Sequence, residues 1–129
     1  MLNRTALITK HKIAWVLLGL QLLALLVGTQ MPGTWRSDTV QTLHAPSWVS
    51  SGAHLVLFFG MALVLWVRPL VWPTQRVLLA ALALALLTEG LQFFAIDRHP
   101  RLMDVGIDMA GALLALLLVK GKELCTARR

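Results

Sequence analysis

Four apolar runs, separated by short polar or proline-bearing segments, lay out this chain. They cover residues 13–29, 48–67, 77–96 and 102–119, and each is close to the ~20 residues a helix needs to cross the hydrocarbon of a bilayer. Residues 1–12 are polar and basic, with Arg4, Lys10 and Lys12. The stretch 30–47 carries turn chemistry at Pro32, Gly33, Ser37, Asp38 and Pro46 and is expected to be a polar loop. Arg68-Pro69 closes the second run, and Pro73 lies in a short turn ending at Arg76. The tight turn at residues 97–101 makes the third and fourth helices antiparallel neighbours, and a basic tail follows residue 119. The expected fold is an all-α integral membrane four-helix bundle, built as a single domain over residues 1–129.

The first run has the basic start and apolar centre of a signal peptide. Gly28-Thr29-Gln30-Met31 offers no small-x-small cleavage pattern, however, and the run is long for a removable segment, so a retained helix is expected. Gln21, near its middle, calls for a partner in another helix. The five tryptophans fall near the ends of the runs or between them, as amphipathic rings do at a membrane interface.

Composition excludes a soluble domain. The chain is 57% hydrophobic and only 14% charged, whereas charged residues make up about 25% of soluble domains. A formal charge of +6 would point to nucleic acid in a soluble protein. Here the cations cluster at helix ends and no basic patch is interleaved with aromatics, so no nucleic-acid partner is expected. With the N-terminus in the cytoplasm, that side holds Arg4, Lys10, Lys12, Arg68, Arg76, Lys120, Lys122, Arg128 and Arg129. The far side holds only Arg36, Arg98 and Arg101. The positive-inside rule therefore predicts both termini in the cytoplasm, and the expected location is a bacterial inner membrane. Cys125 is the only cysteine, which excludes an intramolecular disulfide.

Residues 89–111 hold four of the six carboxylates although apolar runs flank them. Charge inside a membrane helix costs several kcal/mol unless it is paired or hydrated, so such residues mark function by default. His54 lies about six residues into its helix from the outer side, Glu89 about seven before the outer end of the next, and Asp108 about six into the last. At 1.5 Å per residue all three sit roughly 10 Å below the outer boundary. Asp104, Asp108, Gly111 and Ala115 form one helical stripe, and Glu89 and Gln92 share a face. The small residues let another backbone approach closely. These positions describe an outward-facing polar pocket walled by His54, Glu89, Gln92, Asp104 and Asp108, with Arg98 above it as counter-ion.

At these residues the sequence resembles the VanZ-like family of small membrane proteins. The shared pattern is a helix starting near a His with an aromatic four residues on, here His54 and Phe58. Glu-x-x-Gln follows as Glu89 and Gln92, then Arg98, Asp104, a position that is usually Asn and is Asp108 here, and Gly111. Ser50-Ser51 stands where the family often carries Asp-Lys. The resemblance implies membership of a family named for low-level resistance to the glycopeptide teicoplanin, and it covers nearly the whole chain.

Three functions compete for the cluster. The first is binding or handling of a membrane lipid or lipid-linked cell-envelope precursor, with Gln92, Arg98 and Arg101 as substrate-binding residues. The second is hydrolysis or group transfer, in which His54, Glu89, Asp104 and Asp108 are catalytic because close carboxylates separate into an acid and a base. The third is an ion-pair network that only fixes helices, in a structural subunit with a membrane-protein partner or a second copy of the chain. The ligand types would suit a divalent ion, but no compact ligand motif supports one, so neither metal nor cofactor is expected. Phosphate-cradling glycine loops, zinc-protease helices and paired-cysteine motifs are missing from the sequence.

Overall fold

A computed structural model of the chain describes residues 4–42, 48–67, 69–94 and 101–127. Among them no strand occurs, and five helices follow in order: α1 (Arg4–Gln30), α2 (Gly33–Thr42), α3 (Val49–Trp66), α4 (Thr74–Gln92) and α5 (Leu102–Ala127). α1, α3, α4 and α5 are each long and apolar enough to cross a membrane. The protein is a multi-pass, all-α membrane bundle.

The helices differ from the apolar runs mainly at their polar ends. α1 begins at Arg4, because residues 4–12 contain neither proline nor glycine to stop a helix, and Thr9 Oγ1 satisfies the Thr5 carbonyl at 2.9 Å. α5 likewise continues through the basic tail to Ala127. With 27 and 26 residues, these two helices measure about 40 Å, longer than the ~30 Å hydrocarbon layer, so their ends project beyond it. The expected loop after α1 contains a helix instead. α2 starts directly after Pro32, whose fixed φ suits a helix start, while residues 43–47 lie outside the described set.

The connection from α3 to α4 is tightly folded. Trp72 N–H donates to the Leu65 carbonyl at 2.8 Å, and Val71 adopts φ 46°, a left-handed conformation that a β-branched residue rarely takes. Pro73 then caps α4, which runs Thr74–Gln92, starting earlier and ending sooner than the apolar run at 77–96.

Two apolar layers build the interior. In one, Ala62 and Trp66 of α3 pack with Val77 of α4 and Ala112 and Ala115 of α5. In the other, Leu25, Phe58, Met61 and Ala85 pack together, with Val105 against them. Val77 thus lies opposite Ala112 and Ala115 while Ala85 lies near Val105, which makes α4 and α5 antiparallel neighbours. Trp66 departs from its expected interfacial place: at 7% exposure it is a core residue, whereas Trp35 and Trp48 are exposed. Trp15 and Trp72 meet edge to face, ring centres 6.5 Å apart, and tie α1 to the α3–α4 turn.

The closest helix approach is at Gly111. A Cβ there would collide with the Leu55 carbonyl oxygen and come within 3.1 Å of the Phe59 nitrogen. α5 therefore rests directly on the α3 backbone, one turn beyond His54 and Asp108.

Candidate functional site

That close approach sets the site. Asp108 precedes Gly111 by three positions on the buried stripe of α5, and His54 precedes Leu55 on α3. His54 Nδ1 lies 3.0 Å from Asp108 Oδ1. Asp108 is wholly buried, and its other oxygen, Oδ2, has no hydrogen-bond partner among the described residues. His54 keeps a partly exposed edge, 15% of its side chain. An Nδ1–H donated to the carboxylate leaves Nε2 as the free acceptor of the ring.

Glu89 is held from two sides. Gln92 Nε2, three residues on along α4, donates to Oε1 at 2.8 Å, and the backbone N–H of Arg101 donates to Oε2 at 2.7 Å. Arg101 stands just ahead of α5, so this carboxylate pins the start of α5 to the end of α4. Glu89 and Gln92 are both buried, at 5% and 3% exposure. Asp104 is half-buried, with its own N–H bonded to the Arg101 carbonyl at 2.9 Å. Electrostatic interactions link Glu89 to His54, Asp104 and Asp108, and Asp108 to Asp104. Thus His54, Glu89, Gln92, Asp104 and Asp108 gather at one end of α3, α4 and α5, from three stretches of chain.

Two expected ligand-contacting residues stand differently. Arg101 enters through its backbone amide, and the residue itself is exposed. Arg98 lies outside the described residues, as do His44 and His99. Thr88, next to Glu89 in the chain, and Thr29 of α1 are fully buried, their hydroxyls donating to the carbonyls of Ala85 at 2.9 Å and Leu26 at 3.0 Å. Sequence reasoning passed over both, because a threonine that satisfies its own helix leaves no pattern to read. Gln21 finds no partner for its Oε1 among the described residues, although its amide nitrogen presses against Gly60 of α3. Among the described residues no group of three or more metal-ligating side chains could hold an ion.

A bundle of four membrane-crossing helices with a buried polar cluster near one end defines a class of small polytopic membrane proteins. The sequence matches the VanZ/LLP1 family model over residues 6–125, nearly the whole chain, and the protein belongs to that family. Neither the curated proteins nor the solved structures gave a match.

Proposed function

We propose that the cluster around His54, Glu89 and Asp108 binds the polar head of a membrane lipid or lipid-linked cell-envelope intermediate. It does so at the non-cytoplasmic face of a bacterial inner membrane, with both termini of the chain in the cytoplasm. Handling of such an intermediate would alter the response to glycopeptides and other envelope-directed agents. The observation that carries the reading is Asp108 Oδ2, a buried carboxylate oxygen with no partner among the described residues. A network kept only to fix helices is expected to satisfy its members, since a half-satisfied buried network is worse than an apolar core.

The test is mass spectrometry of the lipids that co-purify with the full chain, compared with Glu89→Gln and Asp108→Asn. Both variants should remain folded and lose the retained lipid. If they stay folded and hold the same lipid as the parent, the reading fails.

One observation favours a second reading, a membrane-embedded hydrolase or transferase. Asp108 orients the His54 imidazole through Nδ1, and an imidazole so held presents Nε2 as a general base. Loss of turnover without loss of bound lipid in His54→Gln would separate catalysis from binding.

A further inference from the structure

At the opposite end of the bundle, α1 and α3 part around a cleft of about 350 Å³. Ile13 and Leu17 of α1 and Leu63 and Val64 of α3 wall it, and Pro69 of the strained α3–α4 turn lies at its edge. Its lining is apolar except for Lys10. Lys10, Ile13 and Leu17 fall on one stripe of α1, so the ammonium sits at the end nearer the aqueous phase and the hydrocarbon wall runs inward from it. The Trp15–Trp72 pair lies on the neighbouring surface, at the level where tryptophan marks the membrane interface.

The surroundings carry the same sign. Val119 packs against the core cluster that contains Trp66 and Val77, which brings the end of α5 to this face of the bundle. Arg76, Lys120 and Lys122 are therefore near neighbours in depth of Lys10 and Lys12, and all are exposed. Among the described residues of these segments, Glu123 is the one acid. A cation above an apolar slot, inside a basic collar, is complementary to a ligand with an anionic head and a hydrocarbon tail. A free anion would leave the walls of the slot unfilled, and a zwitterionic lipid brings its own cation into the collar.

We propose that this cleft is a binding site for an anionic phospholipid of the adjoining leaflet, with the phosphate on Lys10 and an acyl chain between α1 and α3. The site is independent of the cluster at His54 and Asp108. Basic pockets between membrane helices take anionic head groups by this combination of charge and shape.

The experiment is native mass spectrometry of the full chain, presented with phosphatidylglycerol and phosphatidylcholine of identical acyl chains. Phosphatidylglycerol should be retained about fivefold over phosphatidylcholine, the preference expected from one interfacial cation. Lys10→Gln should bring that ratio to about one, while Lys122→Gln, on the same face but outside the cleft, should leave it unchanged. Leu17→Trp or Val64→Trp, confirmed as helical by circular dichroism, should expel both lipids by filling the slot. Excess inorganic phosphate at matched ionic strength should displace neither. Equal retention of the two lipids by the parent chain would overturn the proposal. An unchanged ratio in Lys10→Gln, an equal fall in Lys122→Gln, undiminished retention in both tryptophan variants, or displacement by phosphate would each overturn it too.

Discussion

His54 and Asp108, 54 positions apart in the chain, meet through Nδ1 and Oδ1 at 3.0 Å and join α3 to α5. The two partners are unequal. Asp108 is wholly buried with its second oxygen unsatisfied among the described residues, whereas His54 keeps one edge partly exposed.

That asymmetry predicts unequal mutational costs. His54→Leu strands both Asp108 oxygens and should destabilise by about 2–3 kcal/mol, the penalty of an unpaired buried polar group. Asp108→Leu removes the stranded oxygens along with the bond, so it should cost under about 1 kcal/mol. The double mutant leaves no stranded oxygen, so it should cost about as much as Asp108→Leu alone, and most of the His54→Leu penalty should reappear as coupling between the two positions. Unfolding in mixed detergent, followed by tryptophan fluorescence, measures all three. A larger loss in Asp108→Leu than in His54→Leu would refute the account.

The glycines should rank by what stands over them. Gly111→Ala drives a methyl into the α3 backbone, which cannot swing aside, and should cost about 1–3 kcal/mol. Gly60→Ala meets only the end of the Gln21 side chain, which can rotate away, so its cost should be smaller. Gly106 has open space around it, and alanine there should stabilise α5 by up to about 1 kcal/mol through helix propensity. The same unfolding assay reads this order, and equal effects at Gly111 and Gly106 would contradict the close packing of α3 on α5.

Much of this arrangement is legible in the residues. Runs of apolar residues that are long for a soluble core announce the four crossing helices, and the stripe from Asp104 to Ala115 announces which face of α5 turns inward. The spacing of His54, Glu89 and Asp108 from the helix ends places them at one level, and their electrostatic linkage follows from it. What the sequence hides is contact made by backbone. The Arg101 amide, not its guanidinium, reaches Glu89, and no side-chain pattern encodes that. Trp66 looks like an interfacial ring because it ends an apolar run, yet the turn after it folds back and seals it in the core. α2 reads as a loop because its polar residues show no apolar face, although nothing in them forbids a helix.

Orientation can be tested with a residue the chain already has. Cys125 is the only cysteine and is exposed near the end of α5. If the positive-inside bias sets the topology, a membrane-impermeant maleimide should label Cys125 only after cells are permeabilised. In a Cys125→Ser background, Gln41→Cys in α2 should be labelled in intact cells, and Thr74→Cys at the start of α4 should not. The reverse pattern would invert the bundle and move the polar cluster to the cytoplasmic face.

Glu89 allows charge to be separated from structure. Its oxygens accept from Gln92 Nε2 and the Arg101 amide. In Glu89→Gln the new carbonyl oxygen can keep the Arg101 bond, while the new amide nitrogen faces Gln92, whose own amide can turn to offer its oxygen. Both contacts survive, so the cost should be about 1 kcal/mol or less. Glu89→Ala frees the Arg101 amide and the Gln92 side chain together and should cost about 2–3 kcal/mol, with the start of α5 fraying first. Hydrogen exchange at residues 101–104 reports that fraying directly. Lipid lost from Glu89→Gln while exchange there stays slow would then be a loss of charge recognition. Rapid exchange in Glu89→Gln equal to that in Glu89→Ala would instead make Glu89 a fastener of α4 to α5.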